Sequence, residues 1–297
     1  MKNKKKSKIE GVITALVTPF KKGRVDYKSL KSLIRQQLDS GVSGFVVNGT
    51  TGESPTLSED EVVKIFKYVK KESDSAVPLI LGTGTNSTES TVQRTRKAKA
   101  LGAEAALVVV PYYNKPTQQG LYEHFKFVAS KSKIPILLYN VPGRTVVSLS
   151  AETTAKLSKV PNIIGIKEAS SNMELMSEIK AKSKKSFILL SGDDGSCIDF
   201  NTRGGHGVIS VISHIIPKEL SELVSRGCKG DGSVSFEYGK YDSLNQLMGI
   251  EPNPIPVKMG LYLMGVIDSP ELRLPLLELS KPHKKMLKLE LKKLGVI

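Results

Sequence analysis

The chain has no tryptophan, two cysteines and four histidines among its 297 residues. Cys197 and Cys228 lie far apart, without CxxC or Cys/His ligand spacing, so neither a disulfide framework nor a zinc site is expected. The histidines also lack metal spacing, and no metal is expected. No apolar run approaches the length needed to cross a bilayer, so no membrane association is expected and the cytoplasm is the default location. The opening stretch MKNKKKSKIEGVITALVTPF imitates a secretory signal. Glu10, Thr14, Thr18 and Pro19 interrupt its short apolar part, however, and no small-residue cleavage pattern follows. The expectation is a disordered Lys-rich arm over residues 1–10 and then a first strand.

Acidic residues are in deficit. There are 29 Asp and Glu against 44 Lys and Arg, for a net charge of +15, which raises the question of nucleic-acid binding. The basic residues are scattered apart from the arm and Lys284, Lys285, Lys288, Lys292 and Lys293, and no helix-turn-helix, finger or aromatic-basic sheet motif accompanies them. A solvated basic surface with a preference for anionic substrates is expected, and no nucleic-acid partner. Leu287, Leu291 and Leu294 form a stripe on the terminal helix that docking onto the rest of the molecule explains.

What the chain does have is a rhythm. Eight β-prone runs (GVITALVTPF, GFVVNG, PLILGTG, AALVVVPYY, PILLYN, NIIGIK, FILLSG and GVISV) recur with helix-like segments between them. Their nearly unbroken apolar character suits parallel strands covered on both faces. Eight such units predict an α/β fold, a (β/α)8 TIM barrel. Residues 26–38 place Leu30, Leu33, Ile34 and Leu38 on one helical stripe, and Ser58 with Glu61 forms a capping box before Val62 and Ile65. Val77-Pro78, Ile134-Pro135 and Val160-Pro161 read as helix-to-strand returns. The barrel core is expected over residues 11–216. Residues 217–297 hold the last barrel helix and an additional C-terminal helical segment packed on the barrel.

In a barrel of this class the active face lies at the strand C-termini. Polar residues gather there: Thr50 and Thr51 in NGTTGES, Tyr112 and Tyr113 in PYYNKP, Tyr139 and Arg144 in YNVPGRT, Lys167 in GIKEAS, and Gly192 in SGDD. Each has a bland explanation, and Lys167 alone can be a lysine whose charged head escapes an apolar strand to water. Together they favour a site. An uncharged, desolvated Lys167 can attack a ketone to form an imine, an electron sink that turns the neighbouring carbon into a nucleophile. The Thr50-Thr51 turn can hold a carboxylate, and Arg144 offers a planar fork for a second. Hydroxyls of Thr50, Tyr113 and Tyr139 can relay protons. This chemistry is a lysine-imine lyase or aldol condensation between a 2-keto acid and an acidic partner. GTTGES lacks the lysine of a phosphate loop, and no cofactor is expected.

The stretches GTTGESPTL, PYYNKPTQQGLYEHF, YNVPGRT, GIKEAS, SGDD, GGHGVISV and EPNPIPVK, in this order, resemble the 4-hydroxy-tetrahydrodipicolinate synthase (dihydrodipicolinate synthase) family within the class I lysine-imine aldolases, from Gly11 to Ile297. The resemblance implies condensation of pyruvate with L-aspartate 4-semialdehyde in diaminopimelate and lysine biosynthesis. By matching motif, Lys167 forms the pyruvate imine, Tyr139 exchanges protons, and Thr50 links it to Tyr113, which reaches in from a neighbouring subunit of a homotetramer built as a dimer of dimers. Thr51, Ile209 and Gly192 line the pyruvate position, and Arg144 receives the second substrate's carboxylate. Ser54, Asn86 and Tyr112 fit the family's allosteric lysine site. Pro55, Glu59, Val62 and the order Glu89-Ser90 depart from strongly inhibited members, so weak or absent feedback by lysine is expected. An N-acetylneuraminate lyase or sugar-acid aldolase shares the imine lysine and tyrosine, but a polyol substrate calls for hydroxyl-reading groups more than an arginine fork.

Overall fold

The computed structural model describes residues 8–297; most of the expected Lys-rich arm lies outside the described residues. Eight parallel strands close into a barrel: β1 Gly11–Ala15, β2 Gly44–Val47, β3 Leu79–Gly82, β4 Ala105–Val109, β5 Ile136–Asn140, β6 Ile163–Glu168, β7 Ile188–Ser191 and β8 Gly207–Ser210. Each pairs with its sequence neighbours, and β1 closes the ring between β8 and β2. Each of the eight apolar runs supplies one strand. Helices cover the outside, so both strand faces are buried and alternation is masked in the sequence.

The expected local signals hold. The first helix spans Tyr27–Asp39, with Asp26 capping the N–H groups of Lys28 and Ser29; Leu30, Leu33 and Ile34 are buried, and Gln37 joins them while Leu38 is only partly covered. Ser58 and Glu61 form the capping box of helix Glu59–Glu72. A short antiparallel pair, Phe20–Lys21 with Arg24–Val25, folds beside the barrel mouth.

The core divides in two. Ile13, Val46, Ile80, Leu107, Leu137 and Ile209 are among the side chains that fill the barrel, with Ile9 packed against them; the larger cluster lies between strands and helices. One irregularity sets the phase of β6. Ile136 pairs with Ile163 but Leu137 with Gly165, so Ile164 is an extra residue, a bulge. Beyond it Ile166 packs outward among the helices, and Lys167 takes the opposite, inward face.

After β8 come helices Pro217–Gly227, Val234–Tyr238, Asp242–Met248, Ile255–Leu263 and Lys281–Lys293. Leu287 and Leu291 of the last are buried and Leu294 packs beside them, so the leucine stripe docks on the fold. Among the described residues no helix is long and apolar enough to cross a membrane.

Candidate active site

At the C-terminal end of β6 the Lys167 side chain is only 6 % exposed, and its ammonium nitrogen lies 4.3 Å from the centroid of the Tyr139 ring. The two residues are register partners on β5 and β6, and Lys167 pairs on its other side with Leu190 of β7. The strand ends thus bring a primary amine and a phenol together in a mostly apolar layer. Gly192, just past β7, leaves room for the lysine stem: a Cβ there would stand 2.8 Å from Lys167 Cε and 2.9 Å from Cγ. Ile209 lines the same barrel interior from β8.

Glu168 points the other way and anchors the strand end. Its carboxylate accepts hydrogen bonds from Asn140 Nδ2 at 2.8 Å and the Ser170 N–H at 2.7 Å, and burial pushes its pKa up. Asp194 does the same for β8: one oxygen accepts the N–H groups of Val211 and Ile212 at 2.8 and 2.9 Å, and burial again raises its pKa. These contacts fix the ends of the strands that carry Lys167 and Ile209.

A cavity of about 260 Å³ opens at this face, lined by residues that include Thr50, Ser54, Tyr112, Tyr139 and Arg144. Lys167 is not one of the side chains facing the open space; it meets the cavity through Tyr139. A larger concavity of about 780 Å³ lies at the strand-entry end, between helices Gln118–Ser132 and Ala151–Ser158. Two of its lysines, Lys133 and Lys159, are the C-cap residues of those helices, where the backbone dipole favours cations, and it holds none of the strand-end residues. The smaller cavity is therefore the candidate site.

The turn after β2 is held by its own backbone: the N–H groups of Gly52 and Glu53 donate to the carbonyls of Gly49 and Thr50 at 3.1 and 3.0 Å. Thr18 Oγ1 adds a bond to the Gly52 carbonyl at 2.8 Å. Thr51 is buried, and its hydroxyl accepts from Asn253 Nδ2 at 3.0 Å. Arg144 sits exposed on the short helical turn Pro142–Thr145 and donates from Nη2 to the Asn253 carbonyl at 3.2 Å, which leaves much of its fork free. Asn253 therefore touches both expected carboxylate receptors. In the sequence, EPNPIPVK marks Asn253 only as a polar side chain between two prolines.

The remaining expected residues separate. Ser54 and Tyr112 line the same cavity as Thr50 and Tyr139, so these two expected lysine-site residues adjoin two of the expected catalytic ones. Asn86 uses its carbonyl to accept from Asn114 Nδ2 at 2.8 Å. Tyr113 is 89 % exposed, on a backbone with φ +74°, and turns away from this chain's own cavity. Arg94, which no sequence motif marks, also lines the cavity and is tied to Glu59 at 2.8 Å. Among the described residues, no three His, Cys, Asp or Glu side chains converge as metal ligands would.

Comparison with known proteins agrees with this arrangement. A 4-hydroxy-tetrahydrodipicolinate synthase of Bdellovibrio bacteriovorus is 52 % identical over 97 % of this chain and 99 % of its own length. The crystal structure of dihydrodipicolinate synthase from Thermotoga maritima superposes with a TM-score of 0.95 at 42 % identity, covering 97 % of this chain and 99 % of that one. A chloride-inhibited dihydrodipicolinate synthase from Acinetobacter baumannii, solved as a complex with pyruvate, superposes with a TM-score of 0.95 at 41 % identity, covering 98 % of this chain and all of its own. The family model described as the dihydrodipicolinate synthetase family matches residues 8–294. With a lysine and a tyrosine paired at the ends of two barrel strands and likeness sustained over nearly its full length, the chain belongs to the dihydrodipicolinate synthetase family.

Proposed function

We propose that the chain is a 4-hydroxy-tetrahydrodipicolinate synthase, a lyase that condenses pyruvate with L-aspartate 4-semialdehyde through an imine on Lys167. The neutral amine of Lys167 adds to C2 of pyruvate, and water leaves as the imine forms. Loss of a proton from C3 gives the enamine, whose carbon attacks the aldehyde of the second substrate and forms the new C–C bond. The amine of that substrate then attacks the imine carbon, closes the ring and expels Lys167 as a free amine. Tyr139, against the lysine, carries protons into and out of these steps, with Thr50 passing them on. The Thr50-Thr51 turn receives the keto-acid carboxylate beside Ile209 and Gly192, and the open fork of Arg144 receives that of the semialdehyde.

The observation that carries the reading is the buried amine of Lys167 packed 4.3 Å from the Tyr139 ring centroid at the strand ends. An amine enclosed this way is withheld from bulk water and has a proton carrier beside it. The pyruvate-bound Acinetobacter relative supports the choice of keto acid. Tyr113, exposed and held at a positive φ, is proposed to reach the site of a neighbouring copy, in a homotetramer arranged as a dimer of dimers. A strained non-glycine backbone at a loop tip is the kind of feature that function retains. A cytoplasmic location and weak feedback by lysine through Ser54, Asn86 and Tyr112 belong to the same proposal.

The test is borohydride reduction in the presence of pyruvate, followed by peptide mass mapping. A pyruvyl adduct on Lys167 is expected, together with its loss and the loss of turnover in a folded Lys167→Ala variant. Product formation with Lys167 unmodified by the trap would refute the mechanism.

A further inference from the structure

The Thr50-Thr51 turn is closed by a residue whose side chain lies in a buried charge cluster behind the cavity. Glu53 holds a left-handed backbone, φ +57°, a conformation uncommon for a non-glycine residue. Both of its carboxylate oxygens are engaged. Lys258 Nζ donates to Oε1 at 2.5 Å and the Arg273 N–H to Oε2 at 2.9 Å. Lys258, on helix Ile255–Leu263, is itself 0 % exposed; its ammonium also donates to the Glu271 carbonyl at 2.9 Å and lies 4.2 Å from the centroid of Phe20. Arg273 packs against the same ring at 4.4 Å and forks onto Glu61 at 2.6 and 2.8 Å.

A dry ion pair of this kind recovers little more than the cost of desolvating its two charges, and well-packed apolar residues of equal volume often stabilise a fold better. Stability is thus a poor account of why two opposite charges lie buried behind this turn. Geometry is a better one. The pair fixes the direction of the Glu53 side chain, and through it a backbone conformation the turn does not prefer. The same segment grips the turn a second time, since Asn253 precedes the helix and donates to Thr51.

We propose that Lys258 is a positioning residue for keto-acid binding: by holding Glu53 it sets the Thr50-Thr51 turn in the geometry that receives the substrate's carboxylate. The inference deepens the functional reading above and rests on it. Lys258 does not touch the cavity, so its loss acts on binding at the turn more than on the chemistry at Lys167.

The test compares Lys258→Met with the double variant Glu53→Gln/Lys258→Met, in steady-state kinetics with each substrate varied and with thermal melts alongside. Lys258→Met is expected to raise KM for pyruvate by about tenfold or more while kcat changes by less than about threefold and KM for the semialdehyde stays near wild type. It also leaves Glu53 buried without its partner and lowers the melting temperature. The double variant leaves no unpaired buried charge, so its melting temperature is expected to return toward wild type while KM for pyruvate stays raised; a purely structural role would restore both. Wild-type KM for pyruvate in the double variant, or in a folded Lys258→Met, overturns the inference. If Lys258→Met does not fold, the double variant decides alone. Failure of wild-type enzyme to trap pyruvate on Lys167 would instead fault the functional reading, a result the kinetic comparison cannot produce.

Discussion

Replacing Gly192 by alanine tests how tightly Lys167, the proposed imine-forming lysine, is held. The Gly192 backbone is not in the left-handed region, so alanine brings no dihedral strain, only a methyl group. That methyl would stand 2.6 Å from the Ala169 Cβ, 2.8 Å from Lys167 Cε and 2.9 Å from Lys167 Cγ, where ordinary contacts begin at 3.4 Å. Of the three neighbours, the Ala169 methyl is fixed to the backbone that follows β6, and the lysine stem has rotatable bonds. The Ala169 contact is relieved only by a small shift of the strand ends themselves, and Lys167 Cε must in addition retreat by about 0.6 Å, the difference between 3.4 and 2.8 Å, to regain an ordinary contact. Displacement on the scale of 1 Å at a reacting group costs on the order of 100-fold in rate, whereas overpacking one methyl costs roughly 1–3 kcal/mol of stability. A Gly192→Ala enzyme should thus stay folded, with a cooperative melt, and lose about ten- to a hundredfold in kcat/KM for pyruvate. Stopped borohydride trapping at fixed pyruvate should show the same slowing in adduct formation. If folded Gly192→Ala traps pyruvate and turns over within twofold of wild type, Lys167 is not confined as described, and the argument from its burial fails.

Two further outcomes follow from other parts of the molecule. The Arg273 fork, with hydrogen bonds from Ser58, holds the Glu61 carboxyl at about 2, below its ordinary 4.5, so these contacts contribute stability that is fully present above pH 4.5 and lost as pH falls through about 2. With both side chains partly open to water the gain is screened to about 1 kcal/mol, and in Arg273→Gln the acid-unfolding curve, followed by circular dichroism, should begin at higher pH. An acid limb unchanged from wild type would show that Glu61 gains nothing from the pair. Tyr113 lies outside its own chain's cavity, so activity should depend on assembly: dilution below the dissociation range should lower specific activity in step with the loss of oligomer seen by sedimentation, and Tyr113→Phe should lower kcat without altering that range. A dilute monomer with full specific activity would remove Tyr113 from the proton path.

Much of this fold could be read from the sequence because its signals are local. Each of the eight apolar runs is its own strand, and the prolines at 78, 135 and 161 mark strand entries through a steric rule that acts between adjacent residues. Strand phase was not legible. In NIIGIKEAS the isoleucines at 163, 164 and 166 are all buried or nearly so, and helices on the outside and side chains on the inside demand the same residue types. Only the bulge at Ile164 shows that Lys167 faces inward and Glu168 outward. The candidate site was legible as a set of polar residues at strand ends. Its supports were not: Glu53, Asn253 and Lys258 meet across sequence separations that no periodicity records, and a buried lysine in IPVKMGLYL reads like any helix lysine.

The distribution of charge inside the molecule has a physical logic. Lys167 lies beside a π face and a glycine and makes no ion pair with a carboxylate among the described residues, while Lys258, buried still more deeply, is paired with Glu53 at 2.5 Å. A nearby carboxylate favours the protonated form of an amine, which cannot attack a carbonyl. The adjacent acid, Glu168, is turned to the outer face of the strand and occupied by Asn140 and Ser170. A shift of one residue in the phase of β6 would exchange these two side chains, placing the carboxylate over Tyr139 and the amine among the helices. The single extra residue at Ile164 is therefore part of the site's construction: it determines that the amine of Lys167, and not its acidic neighbour, enters the barrel.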